Sequence, residues 1–260
     1  MIIKKMDSKQ EEIAELTALL RGRLTSRQRS LIETELKTIK SGVSGEKDSA
    51  YYIDFYFKNS KNWAVIHDLR LEHKDQVAQI DHLLMNRLFD IYVLETKNYS
   101  YKLKVSSEGE FQAYYGKEYI GIPSPIEQNR RHIHLLKLFL KHHDILPKRM
   151  GISIRPKFKS LILASPKTII SRPPEKKFDT SSIIKADTLR TKIDQEVDKW
   201  RNPLADFATL SKFCSSSTLM ETARRLSGFH KPKKMDFRAK FGLPAQKNWP
   251  SRGTSTSIKL

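Results

Sequence analysis

The stretch AQIDHLLMNRLFDIYVLETKNYSYK, residues 78–102, reads as two apolar strands joined by a short turn, with charged side chains set into them. QVAQIDHLLM (76–85) and DIYVLETKNY (90–99) are rich in β-branched and aromatic residues, and NRLF lies between them. Ionised groups rarely enter apolar strands unless something compensates their burial. Along a strand the faces alternate, so Glu95 and Lys97 point one way and Thr96 the other. Antiparallel pairing through the 86–89 turn would bring Asp81 beside them. Two carboxylates and a backbone carbonyl make an oxygen site suited to Mg²⁺, with Lys97 as a point charge near a water or phosphate.

Outward from this pair, WAVIHDLRL (63–71) predicts a third strand, and YKLKVSSEGEFQAYYGKEYIGI (101–122) a further hairpin around SSEGE. SPIEQNRRHIHLLKLFLKHH predicts a helix with Ser124 as N-cap, Pro125 at its first position, and Ile133, Leu136 and Leu140 on one face. KSLILASP (159–166) predicts a short buried strand. Upstream, Ile13, Leu16, Leu19 and Leu20, then Leu31, Ile32, Leu36 and Ile39, recur at helical spacing. Gly22–Ser26 predicts a break in that run, Ser41–Gly42 a stop, and Glu46 the opening of a new helix. TLRTKIDQEVDKWR and ADFATLSKFCSSSTLMETARRL predict later helices. Beyond residue 227 periodicity disappears. The expected organisation is a helical arm (1–41), an α/β domain (42–187), C-terminal helices (188–227) and a basic, disordered tail (228–260).

The charge narrows the partners. With 48 Lys and Arg against 29 Asp and Glu the formal net charge is +19, which favours polyanions: nucleic acid first, an anionic membrane surface second. Residues 146–177 hold nine of these cations against one acid, and residues 222–260 ten against one. A basic rim around an acidic centre is what phosphate-backbone binding needs, and it gives little sequence specificity. The candidate backbone contacts are Arg130, Arg131, Lys148, Arg149, Arg155, Lys157 and Lys159. No apolar run approaches the ~20 residues of a membrane span. The single cysteine, Cys214, excludes an internal disulfide and a cysteine zinc cluster. With no secretory apolar stretch in MIIKKMDSKQEEIAEL, a cytoplasmic protein is expected. The N-terminal helices are a candidate packing or homodimerisation element.

An Asp followed about a dozen residues later by Glu-x-Lys on adjacent strands resembles the PD-(D/E)XK nuclease superfamily. The words GVSGE (42–46), VIHDLRL (65–71), AQIDHLLM (78–85), YVLETKNY (92–99) and PSPIEQNRRHI (123–133) resemble, in order and spacing, the nuclease-related domain (NERD) family over about residues 42–145. That resemblance implies a restriction-endonuclease-like α-β-β-β-α-β core with a mixed sheet, and Mg²⁺ or Mn²⁺ as cofactor. It implies a site of Glu46 on the first helix, Asp81, Glu95 and Lys97 on the central strands, and Gln128 on the following helix. Asp81, Glu95 and the Thr96 carbonyl would hold the metal, with Glu46 as a further ligand or a binder of its water. Ser100 and Tyr101 depart from the family, which often carries Gly there. The function expected is metal-dependent hydrolysis of DNA. The alternatives are a nucleic-acid-binding module that cleaves slowly or not at all, and a scaffold whose N-terminal helices recruit a partner.

Each site residue also has a plain structural reading. Asp81 and Lys97 would form an ion pair, Glu46 would favour a helix N-terminus, and Gln128 would cap or coat a helix. His82 points away from Asp81 and is expected to pack. His67 next to Asp68 is read as structural, and Cys214 as inert core. In KHHD (141–144) the two histidines sit at a helix end, where cations suit the dipole, and are expected to diverge.

Overall fold

Buried apolar residues on both faces of consecutive strands dictate a covered sheet. The computed structural model describes residues 1–99, 101–198 and 213–244. The chain forms two units, Met1–Lys9 with Thr38–Lys233, and Gln10–Lys37 with Lys234–Leu260. In chain order it runs β1 (Ile2–Lys4), α1 (Gln10–Leu19), α2 (Ser26–Phe57), β2 (Trp63–His73), β3 (Gln76–Asn86) and β4 (Asp90–Lys97). β5 (Lys102–Val105), β6 (Phe111–Tyr115), β7 (Glu118–Ile122), α3 (Pro125–His142), β8 (Lys148–Arg149) and β9 (Ile152–Ser153) follow. β10 (Lys157–Ala164), β11 (Ile169–Ser171), β12 (Ile183–Lys185), α4 (Leu189–Asp198), α5 (Ser216–Ser227) and α6 (Phe237–Lys240) complete it.

The larger unit is a mixed α/β structure. Its main sheet has the strand order β1-β2-β3-β4-β10-β12. The pairs β2·β3 and β3·β4 are antiparallel, whereas β10 is parallel to both β4 and β12. On one face Leu83, Val93 and Met85 pack with Leu136, Phe139 and Leu140 of α3 and Leu219 and Leu226 of α5. On the other, Leu84, Tyr92 and Leu94 pack with Ile53 and Phe57 of α2 and Leu189 and Ile193 of α4. Fully burying one such side chain contributes roughly 1.5–3 kcal/mol, so these two clusters are the main source of stability. A second sheet, β11-β5-β6-β7, branches off between β4 and α3. It buries Leu103, Phe111 and Ala113 with Ile126 and Ile162. Asn129 on α3 is fully buried, its Nδ2 donating to the Val93 carbonyl at 2.8 Å and to Ser160 Oγ at 2.9 Å, which fixes α3 over β4 and β10.

In the smaller unit Leu16, Leu19, Ile32, Phe237 and Phe241 are buried. Thr25 and Gln28 form a reciprocal capping box at the start of α2, with Gln28 N donating to Thr25 Oγ1 at 3.2 Å and Thr25 N to Gln28 Oε1 at 3.0 Å. Lys240 Nζ lies 2.6 Å from Glu35 Oε1. Among the described residues no helix is long and apolar enough to cross a membrane.

Several expectations change. The break at Gly22–Ser26 is present, but α2 continues through Ser41–Gly42, so Glu46 lies within a helix and does not open one. A glycine inside a helix costs about 1 kcal/mol, less than is gained by burying Ile53 and Phe57 further on. The 101–122 segment is a three-stranded meander, because Gly116, at φ +66°, adds a tight turn after β6. β1 joins the main sheet beside β2, so the first residues of the expected arm are part of it. The helix read over 205–226 begins at Ser216, capped by Ser215; residues 205–212 lie outside the described part. Residues 228–244, expected to be disordered, carry α6, and His230 Nδ1 accepts from Arg70 N at 3.0 Å. Residues 245–260 lie outside the described part.

Candidate active site

The backbone opens at Asp81. β2 and β3 pair His67 with His82 and Leu69 with Ile80 but not the residues between, Asp68 and Asp81. Asp68 adopts φ +52°, the left-handed region that aspartate tolerates better than most side chains. The ladder of β3 with β4 ends at His82–Leu94, which sets Asp81 one step further on, opposite Glu95. Thr96 N donates to Asp81 Oδ2 at 2.7 Å. The turn that makes this possible is closed by Asn86, whose Oδ1 accepts from Leu88 N and Asp90 N, each at 2.9 Å.

Glu95 and Lys97 share a face, as their spacing requires, and meet at 2.8 Å between Oε1 and Nζ. Gln128 closes the triangle. Its Nε2 donates to Glu95 Oε1 at 2.8 Å and its Oε1 accepts from Lys97 Nζ at 3.0 Å. Ser124 caps α3, accepting from Glu127 N, and Pro125 occupies the first turn, so the helix delivers Gln128 in its opening turn. His132, four residues on and therefore on the same helical face, places Nδ1 3.4 Å from Glu95 Oε2 without the angles of a hydrogen bond. Glu95 is 3% exposed, and its Oε2 is buried with no hydrogen-bond partner among the described residues.

The electrostatics are those of crowded carboxylates. Burial, then the negative charges of Asp68 and Glu95, raise Glu46 from the usual 4.5 to about 7, against the pull of Lys9 and Lys97. Burial, then Glu95 and Glu46, hold Asp81 well above the ordinary aspartate range, although Thr96 N–H and Lys97 oppose the rise. The acids are thus near enough to repel one another, and an orphaned carboxylate oxygen lies among them. Missing positive charge is the physical signature of this cluster. Gly45 explains how α2 comes so close: a Cβ there would lie 2.6 Å from Asn98 Cβ, just past the end of β4.

Residues 41–164 match the sequence profile of the family described as nuclease-related domain. They form a nuclease-related domain. No curated protein and no solved structure matched the chain in the same comparisons. The match reaches from α2 to the end of β10, so it includes all five acid, lysine and glutamine positions read from the sequence.

Around this nuclease-related domain the basic residues divide. Arg130 and Arg131 line a groove of about 510 Å³ together with Gln128, His132, Gln76 and Val77. Arg130 also pairs with Glu127. Lys148, Arg149, Arg155 and Lys157 lie elsewhere: Lys157 pairs with Asp90, five residues from Glu95 along β4 and so roughly 17 Å away. Lys159 pairs in register with Tyr92 and lies 3.6 Å from Glu196. Along β10, five residues separate Lys157, and three Lys159, from Ile162, the residue paired with Glu95.

Of the structural alternatives, the ion pair forms between Lys97 and Glu95, while Asp81 bonds to the Thr96 backbone. His82 is fully buried with its Nδ1 2.8 Å from His67 Nδ1; His67 Nε2 lies 3.0 Å from Asp54, not bonded to Asp68. Burial, then His67, push His82 well below the usual histidine range. Cys214 is buried, as expected. Three contributors were missed. Asp68, 6% exposed, accepts from Gln79 Nε2 and from Asp7 N. His132 was visible as the i+4 partner of Gln128, and Asn129 only as a polar residue in a helical apolar stripe. His142 and His143 were expected to diverge but converge, because His143 has left the helix at φ −94°, ψ 6°.

Proposed function

We propose that this nuclease-related domain hydrolyses phosphodiester bonds in DNA, with a divalent cation held by Asp81 and Glu95. The observation that carries the reading is the carboxylate cluster itself: burial and the charge of Glu95 raise the proton affinity of both Glu46 and Asp81, and Glu95 Oε2 is buried without a donor. Oxygen donors in that number fit Mg²⁺ or Mn²⁺. Asp81, Glu95 and the Thr96 carbonyl would hold the ion, with Glu46 as a further ligand or a binder of its water. When bound, such an ion lowers the pKa of a water and offsets charge on the phosphate. The order of α2, three antiparallel strands, α3 and the parallel β10 supports a restriction-endonuclease-like core.

The residues of the chain take the other tasks. Lys97 gives two of its three ammonium hydrogens to Glu95 and Gln128. The third is left for a non-bridging phosphate oxygen, where it would stabilise the pentavalent transition state. An ammonium tied to a carboxylate acts as a donor, so Lys97 serves by its charge and not as the base. Glu46, whose proton affinity burial raises, is the carboxylate we assign to receive the proton of the attacking water. The water oxygen forms the new P–O bond as the ester P–O bond breaks; the departing oxygen takes a proton from solvent water, and Glu46 returns its proton to solvent. Gln128 holds Glu95 and Lys97 in one arrangement. Arg130 and Arg131 would bind the backbone beside the scissile phosphate, and the +19 charge supplies general attraction.

The second reading is a binding module with little or no cleavage. It is favoured by the closed Glu95–Lys97 pair, which neutralises the lysine within the chain. Plasmid, single-stranded DNA and RNA, each with Mg²⁺, Mn²⁺ or EDTA, would be incubated with the protein and with Asp81→Asn and Lys97→Ala. Metal-dependent cutting of DNA, lost in both variants, is expected. Salt-sensitive binding without cutting in any condition would leave only the binding module.

A further inference from the structure

At the other end of α3 three imidazoles meet. One ligand nitrogen each of His73, His142 and His143 lies within 4.8 Å of the others. His73 ends β2, at the tight turn in which Lys74 adopts φ +53°, and His142 and His143 close α3. The rings of His73 and His142 are 5.0 Å apart, those of His142 and His143 4.8 Å. Phe139 lies against His143 at 4.2 Å and Phe229 at 4.5 Å, so that ring is held in place by aromatic contacts. Among the described residues none of the three rings makes a side-chain hydrogen bond or an ion pair. Three polar rings have therefore been brought together with no protein group to receive their nitrogens. From Gln128 to His142 the helix rises roughly 21 Å, so this cluster is separate from the acids.

We propose that His73, His142 and His143 bind a borderline transition-metal cation, with Zn²⁺ as its ordinary occupant. Neutral imidazole favours Zn²⁺, Co²⁺, Ni²⁺ and Cu²⁺, whereas Mg²⁺ and Mn²⁺ prefer the oxygen donors of the acidic cluster. At a Zn–N distance of ~2.1 Å, tetrahedral ligands stand about 3.4 Å apart, so the nitrogens must draw in by at most about 1.4 Å, within reach of side-chain rotation. His142 is exposed, and the fourth position belongs to water or an exogenous ligand on its side. Bound metal ties the β2–β3 turn to the end of α3. Gln76 and Val77 from that hairpin and Gln128, Arg130 and Arg131 from that helix wall the groove, so the ion fixes the spacing of its two sides.

The test uses the full chain without a histidine tag, stripped with EDTA and dialysed, and titrated with ZnCl₂ calorimetrically and with Co²⁺ by visible absorption. Asp81→Asn/Glu95→Gln is the background, so that the acidic cluster adds no signal. One Zn²⁺ per chain is expected, with an intense tetrahedral Co²⁺ band that excess Mg²⁺ does not displace. His73→Ala and His143→Ala should each weaken Zn²⁺ binding at least tenfold. Because those two rings are partly packed, exposed His142→Ala is the control for folding: it should keep the far-UV spectrum and lose the thermal shift that Zn²⁺ gives the background protein. Absence of saturable Zn²⁺ binding, or binding unchanged in both His142→Ala and His73→Ala, overturns the proposal. Neither result bears on DNA cleavage.

Discussion

Replacing Glu46 by glutamine should stabilise the metal-free protein at neutral pH, and the gain can be worked out. Burial and the charges of Asp68 and Glu95 raise the Glu46 carboxyl from 4.5 in the unfolded chain to about 7 in the fold. Below 4.5 both states hold the proton, and the associated stability is fully present. As pH rises the unfolded chain releases the proton first, and the stability is lost until the folded carboxyl ionises near 7. At ~1.36 kcal/mol per pH unit, the displacement corresponds to about 3 kcal/mol. Asp81 is displaced in the same direction, and Glu46 is one of the causes, so its contribution has the same sign. Glutamine keeps the shape and removes the charge. Urea unfolding in EDTA between about pH 5 and about pH 8 measures this directly. Buried His82, pushed down in the fold, gains stability over the same window in both proteins, so the reading is their difference: from about pH 5 to about pH 8 Glu46→Gln should pull ahead of the natural protein by about 2–3 kcal/mol. Added Mg²⁺ should restore stability at the upper end, by about 2.7 kcal/mol at a hundredfold excess over its dissociation constant. A variant whose stability runs parallel to that of the natural protein across the window would refute the crowded-carboxylate account.

Lys97→Ala leaves Glu95, 3% exposed, without its cation; unfolding should show a loss of about 3 kcal/mol, and DNA cutting should fall at least about 10²-fold. Gly45→Ala should gain helix propensity of about 1 kcal/mol and lose more, because its Cβ meets Asn98 Cβ at 2.6 Å; a lowered melting temperature together with reduced cleavage is the expected result. Arg130→Ala/Arg131→Ala should reduce the slope of log binding constant against log salt by up to about 1.8 on duplex DNA. Lys148→Ala/Arg149→Ala, in β8 just past the far end of α3 from Gln128, should leave the cutting rate at saturating DNA unchanged.

What the sequence made legible was whatever depends on local periodicity. Alternation along 76–99 placed two strands within a residue or two, and put Glu95 and Lys97 on one side. Ser124 and Pro125 announced α3, and with it the position of Gln128. The failures came where tertiary contact outweighs local propensity. Ser41–Gly42 has the composition of a helix stop, yet the burial of Ile53 and Phe57 carries α2 through it. Asp68 turned toward the acids because of a left-handed backbone that no periodicity announces. The charge run over 146–177 reads as a rim around the acids, but its Lys157 enters β10 opposite Asp90, five residues along β4 from Glu95. The smaller unit joins residues from both ends of the chain, and no local signal reports such a pairing.

β4 lies at the change of strand direction in the main sheet. It is flanked on one side by an antiparallel neighbour and on the other by a parallel one, and each ladder fixes alignment by its own hydrogen-bond pattern. A slip by a single residue would rotate Glu95 and Lys97 into the apolar layer of Tyr92 and Leu94, and turn Thr96 toward Gln128. Both ladders would have to break at once for that to happen. The relative aim of the glutamate and the lysine is therefore guarded by strand alignment, so substitutions around the rim can alter what the protein grips without disturbing the pair at its centre.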